Sequence, residues 1–321
     1  MLALIFAVAA GLTAVLDGSP AAPGTISAPS GLHRFLTAME AADVDQETAA
    51  LTNGQHYLAS NERDLHLIEP DVRGRGGVIV AVGADPGYVL AAWADADALV
   101  FVDLDPAIPD LHQIYAAFFA EAATPEAFLR LWSEVGCAEA IALLRSIADS
   151  DEDATALALL YEAALPGTSR HFADLGKRMT AAGVPWLLSE DSLYQRTRAL
   201  VRGGKVIALR GDFTRGGVVR ALGERLREHK QEVGLLYLSN IEQYFLYGPE
   251  FRANIAALPF ASDGITLRTL PGRPAGFEYI VEDGDHFQER VADPRVRSVY
   301  RIRGFQRGDH LVGRTRHRIA P

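Results

Sequence analysis

The stretch Val78–Asp105, VIVAVGADPGYVLAAWADADALVFVDLD, decides the fold. It opens on a continuous β-branched run, the pattern of a central strand buried on both faces. Gly83-Ala84-Asp85-Pro86-Gly87 breaks that run and leads into a helix expected from about Tyr88 to Trp93. ALVFVDLD then reads as a second strand, ending in Asp103 and Asp105. Strand, glycine turn, helix and strand in this order predict an α/β, Rossmann-like, mostly parallel sheet flanked by helices. In such sheets a ligand lies over the first turn, and an acid about twenty residues on reaches its hydroxyls, which is the separation of Asp103 from Gly83.

The turn is not a full dinucleotide fingerprint. GxGxxG would carry three glycines, whereas Gly83 and Gly87 flank an acid. A carboxylate there repels phosphate, so Asp85 suits a cationic or zwitterionic ligand, such as the amino-acid end of S-adenosylmethionine; a helix-capping role is the plainer alternative.

Further along, GGKVIALRGDF reads as a strand ending at Gly211-Asp212-Phe213, followed by the helix GGVVRALGERLREHK. EVGLLYLSNIEQYF is a strand whose end carries Ser239 and Asn240, with Glu242 and Tyr244 opening the next helix. Asp103, Asp212, Asn240 and Glu242 thus close three strands, and the ends of parallel strands share one edge, where ligands bind. Each alone is ordinary turn chemistry; their convergence makes the candidate site.

Between these halves, residues 124–180 are alanine-rich and helical, an insertion readable either as a lid or as an added layer of core. The helix before it carries Leu111, Ile114, Tyr115, Phe118 and Phe119 on one face, with His112 in its first turn as a structural histidine. At the C-terminal end FEYIVED and VRSVYRIRGFQ alternate as strands, and Asp283, Asp285 and His286 form a turn-like polar cluster. Arg295, Arg297, Arg301, Arg303, Arg307, Arg314, Arg316 and Arg318 read as solvated edge faces, with contact to an anion as the alternative.

Residues 1–21 have the apolar core and small-residue end of a secretory signal, without a basic n-region, so export to the periplasm or beyond is expected; a cytoplasmic protein is the alternative. Residues 22–31 are a Pro/Ser/Gly linker, and the single folded domain is expected over 32–321. Asn61 and Glu62 precede the first strand and either face the site or lie in a surface loop, the default for such a segment.

Across all 321 residues the formal net charge of -10 argues against non-specific nucleic-acid binding. No apolar run in the body is long enough to cross a bilayer, so no stable span is expected after signal cleavage. The single cysteine, Cys137, excludes an internal disulfide and a CxxC site, and no spaced ligand set suggests a metal. GxSxG is absent, which leaves Ser239 a weak nucleophile.

GGVIVAVGADPGY, FVDLDP with LHQIYAAFF after it, RGDF and above all YLSNIEQYF together resemble an uncharacterised bacterial family with a class I methyltransferase-like Rossmann fold, from about Tyr57 to Leu270 and including Asn61-Glu62. The resemblance implies a fold similar to S-adenosylmethionine-dependent enzymes and brings no established reaction. Against the E/DxGxGxG pattern of such enzymes, Ala81 stands where the acid belongs and Asp85 where the central glycine belongs. The expectation is a protein binding a nucleoside-bearing small molecule. Gly83, Asp85 and Gly87 would form the floor, Asp103 would hold ribose hydroxyls, Asp212 would flank the base, and Asn240 and Glu242 would serve methyl transfer to an acceptor. The alternatives are a non-catalytic exported protein that keeps the fold and, third, a nicotinamide oxidoreductase.

Overall fold

The computed structural model of the chain describes residues 31–40, 45, 50–51, 54–271, 276–304 and 316–319. The expected signal segment, and the linker up to residue 30, lie outside them. Seven strands form one sheet in the order β3-β2-β1-β4-β5-β6-β7. They are β1 (Val78–Ala81), β2 (Ala98–Asp103), β3 (Val206–Arg210), β4 (Val233–Ser239), β5 (Phe260–Pro271), β6 (Phe277–Asp283) and β7 (Arg316–Ile319). The first five run parallel, β6 turns back antiparallel to β5, and β7 lies parallel to β6.

Alternation along each strand sorts side chains onto two faces. Ile79, Ala81, Leu99, Phe101, Leu235 and Tyr237 point into one core. Val78, Val80, Val100, Val102, Leu236 and Leu238 point into the other. That is why these strands read as unbroken apolar runs in sequence: neither face meets water.

On the second face pack α1 (Gly31–Glu40), α9 (Val218–Glu228), α10 (Pro249–Ala257) and α11 (Gly284–Ala292). The first face carries the short α2 (Glu69–Val72), then α3 (Pro86–Ala94), α4 (Ala107–Glu121), α5 (Pro125–Leu131), α6 (Cys137–Ile147), α7 (Asp151–Ala182) and α8 (Asp191–Arg202). The helices from α4 to α8 all lie between β2 and β3, so the helical layer expected over 124–180 continues to Arg202.

Helix α7 is 32 residues long and dominates this layer. The acidic stretch that separates it from α6 is its first turn: Ser150 accepts from the Asp153 amide, and Asp151, Glu152 and Asp153 face the positive end of the helix dipole. Pro166 sits inside it, where a proline withholds one amide from the ladder and bends the helix.

Two C-terminal expectations are corrected. VRSVYRIRGFQ is not a strand where it is described: Val299–Gly304 is a short helix, α12. The buried residues Val296 and Val299 are three apart, a helical rather than an alternating spacing. Asp283, Asp285 and His286 do not make a turn either, since Asp283 takes the N-cap position of α11 and the other two lie in its first turns.

Candidate functional site

The strand order reverses direction at β1 and β4. The chain leaves β1 through α3 on one face and leaves β4 towards α10 on the other, the switch point at which open α/β sheets place a ligand crevice, at the carboxyl ends of these two strands. The segment His56–Asp64 runs across those ends as a strap. His56 Nδ1 lies 2.8 Å from Asp105 Oδ1 beyond β2, and the Ser60 amide donates to Asp85 Oδ1 beyond β1 at 3.2 Å. Glu62 Oε1 accepts from Ser239 Oγ of β4 at 2.8 Å and from Thr269 Oγ1 of β5 at 2.9 Å. Asp64 is held from the other side by Arg178 of α7, at 2.9 Å.

Asp85 does not cap α3. Its carboxylate is buried, and Oδ2 lies 2.7 Å from Nε2 of His171, which descends from α7. Asp85 is the strongest of the neighbours that raise the His171 pKa, and together they outweigh the burial that lowers it, so the ring holds its proton more firmly than a free histidine. Glu62 is 1% exposed, and burial raises its pKa against the hydroxyls around it.

The β1 turn is fixed by hydrogen bonds on both sides of its peptide groups. Gly83 has φ +85, which favours glycine, and a Cβ there would meet nothing within 4 Å, so its backbone faces open space. Its amide donates to Asp103 Oδ2 at 3.0 Å. Its carbonyl accepts from His112 Nε2 at 3.0 Å, which leaves Nδ1 to accept from the Tyr88 hydroxyl at 3.1 Å. His112 stacks on Phe101 at 3.6 Å between centroids, and burial drives its pKa down to about 3, so it is a neutral bracket for the turn. Burial, with the nearby Asp105 charge adding to it, pushes Asp103 up to about 6.

A family model described as a domain of unknown function (DUF7790) matches residues 57–311. The chain belongs to this family. Its match begins inside the strap and takes in every strand from β1 to β6, so crevice and strap are both part of the family domain. No curated protein matches the chain.

Of the residues expected at the site, Gly83, Asp85 and Asp103 meet around the β1 turn. Gly87 serves packing: a Cβ there would lie 2.7 Å from Phe101 Cζ. Asp212 folds back on its own loop, accepting from the Thr214 amide at 2.8 Å and hydroxyl at 2.7 Å, while its amide donates to Asp45. Asn240 is half-buried after β4. Glu242 is buried in a second network, bonded to the Tyr247 hydroxyl and 3.2 Å from Arg268 Nε, whose Nη2 reaches Glu282 at 2.9 Å. His286 also turns to Glu282, at 3.1 Å.

Two residues at this edge were not assigned a role from sequence: Glu62, expected either to face the site or to lie in a surface loop, and His171. Glu62 is no surface-loop residue, because three hydroxyl-bearing neighbours on β4 and β5 draw it under the edge. His171 carries no local signal, since α7 is recognisable only as an alanine-rich helix. A groove of about 420 Å³ between α5, α7 and Trp186 lies within the helical layer, and no strand-end residue lines it. Among the described residues no group of side chains could hold a metal ion, and no helix is long and apolar enough to cross a membrane.

Proposed function

We propose that the crevice binds a nucleoside-bearing small molecule of the S-adenosylmethionine type, and that the protein is methyltransferase-like in this sense. The observation that carries the reading is the pairing of Gly83, whose backbone faces open space, with the Asp103 carboxylate 3.0 Å from its amide. The Asp103 carboxylate accepts from the Gly83 amide at Oδ2 and the Asp105 amide at Oδ1, and retains lone-pair capacity for a hydroxyl of a ribose. His56 beside Asp105 and Asn240 beyond β4 border the same edge. Methyl transfer requires alignment of the acceptor with the sulfonium more than a strong base, so Asn240 suffices as the positioning group. Glu242, engaged by Arg268 and Tyr247, supports the β4 end from below.

One observation favours a second reading. Asp85 is committed to His171 and the Ser60 amide, so the turn offers no free acid to an ammonium group. A nucleoside ligand without a cationic end, held without catalysis, fits this arrangement. Calorimetric titration with S-adenosylmethionine, S-adenosylhomocysteine, adenosine and NAD separates the two. The first reading expects S-adenosylmethionine and S-adenosylhomocysteine to bind most tightly and Asp103→Asn to weaken them about tenfold or more. Absence of heat with all four up to about 1 mM, weaker than roughly 4 kcal/mol of binding, overturns both.

A further inference from the structure

We propose that Glu62, Asp85 and His171 form a two-proton unit under the strap, with one proton on Glu62 Oε2 and one on the His171 ring, and that it positions the β1 turn and the β4 end. The proposal goes beyond the ligand reading above and does not depend on which ligand binds.

The geometry is asymmetric at Glu62. Both hydroxyl donors with well-formed bonds, Ser239 and Thr269, point to Oε1, as they would to the carbonyl oxygen of a neutral acid. Oε2 is fully buried, and the Tyr237 hydroxyl is the further hydrogen-bonding group beside the carboxyl. A proton on Oε2 gives the acid an O–H to donate and the tyrosine oxygen a bond to accept. Left ionised, Oε2 would be a buried charge with the Tyr237 hydroxyl to donate to it but no direct cationic partner.

The charge count agrees. Asp85 and His171 lie 2.7 Å apart and neutralise each other, so the unit has no net charge when Glu62 keeps its proton. The Glu62 and His171 pKa values are both raised, the direction that favours a proton on each. The other titratable groups coupled to the unit are Tyr237 of β4 and Tyr279 of β6, which feel Glu62, Asp174 of α7, and Tyr88, Tyr115 and His112, which feel Asp85.

The unit has a mechanical consequence. Ser239 stands at φ +48, a left-handed conformation unfavourable for a serine, at the point where β4 delivers Asn240. Its bond to Glu62 holds it there. At β1, His171 neutralises and withdraws the carboxylate of the turn, so the crevice floor presents Gly83 rather than a charge. Glu62 and His171 are therefore positioning residues.

The decisive experiment is a carbon-13 NMR titration of the side-chain carboxyl of Glu62, assigned by its loss in Glu62→Gln, together with the His171 ring, assigned with Asp85→Asn. We expect Glu62 to titrate above an ordinary glutamate. We expect the His171 ring to titrate above an ordinary histidine, with its titration moving down in Asp85→Asn. Glu62 titrating at or below the ordinary value, or a His171 ring titrating at or below that of an ordinary histidine, overturns the proposal. Thermal unfolding between pH 5 and 9 gives a second readout: Glu62→Gln, an isostere of the neutral acid, should match the wild type at pH 5 and surpass it as pH rises. A Gln variant as destabilised as Glu62→Ala at every pH counts against it, and should Gln fail to fold, sequential assignment of the wild type identifies the Glu62 signal and its titration still decides.

Discussion

Gly87 shows how one residue can look like ligand chemistry and be packing. In sequence it is the second glycine of a nucleotide turn; in the fold its missing Cβ makes room for Phe101, itself under His112. Gly87→Ala should overpack this contact and destabilise the protein by about 1–3 kcal/mol, read as a lower urea midpoint with an unchanged slope. Asp103 is the contrasting case, since the spacing of an acid about twenty residues after Gly83 is realised as a direct hydrogen bond between them. Asp212 and Glu242 were legible as strand-end acids, but their partners were not: the Asp212 amide donates to Asp45 and the Glu242 carboxylate meets Arg268, both distant in sequence.

At the scale of elements, a single acid upstream of the domain core organises the end of β3 and the start of α9. The amides of Asp212 and Val218 both donate to Asp45, at 2.9 and 3.3 Å, and the Asp45 amide returns to the Arg210 carbonyl at 3.2 Å. Asp45 thus satisfies a helix N-terminal donor from outside the helix, as an N-cap side chain does from within. Asp45→Ala should cost about 1–2 kcal/mol and speed hydrogen exchange at the Asp212 and Val218 amides, leaving the amides of β1 protected. Helix α7 follows the same logic on a larger scale: its sequence specifies a long capped helix, whereas its role as the carrier of His171 and Arg178 follows from where the helix docks.

For the whole molecule, buried titratable groups set opposite pH limits. The His112 pKa is about 3 when folded and near the ordinary value of about 6.5 when unfolded, so its contribution is complete above the unfolded value and is lost as pH falls towards 3. Glu62, His171 and Asp103 have raised values, so their contributions are present at low pH and fade as pH rises through their folded pKa values, about 6 for Asp103. Relative to His112→Gln, the wild type should lose about 1.4 kcal/mol of stability per pH unit in the window below 6.5. Paired denaturant curves at pH 7, 6 and 5 would measure this, and parallel behaviour of the two proteins would show that His112 takes up a proton in the native state.

The sequence by itself determined the architecture. Continuous apolar runs from Val78 and from Val233, each ending in a polar turn, can be buried only as central parallel strands, and the ends of such strands must share an edge. Local periodicity carries that information because it depends on residues a few positions apart. It misread Val299–Gly304, where arginines alternate with apolar residues in a helix too short to show its own period. Only the tertiary structure decided which acids sit beneath the edge and what surrounds them. Glu62 meets Ser239 and Thr269 across 177 and 207 residues, and His171 reaches Asp85 from a helix inserted after β2. Burial and a partner fix a proton, and both are properties of the assembled fold rather than of any segment.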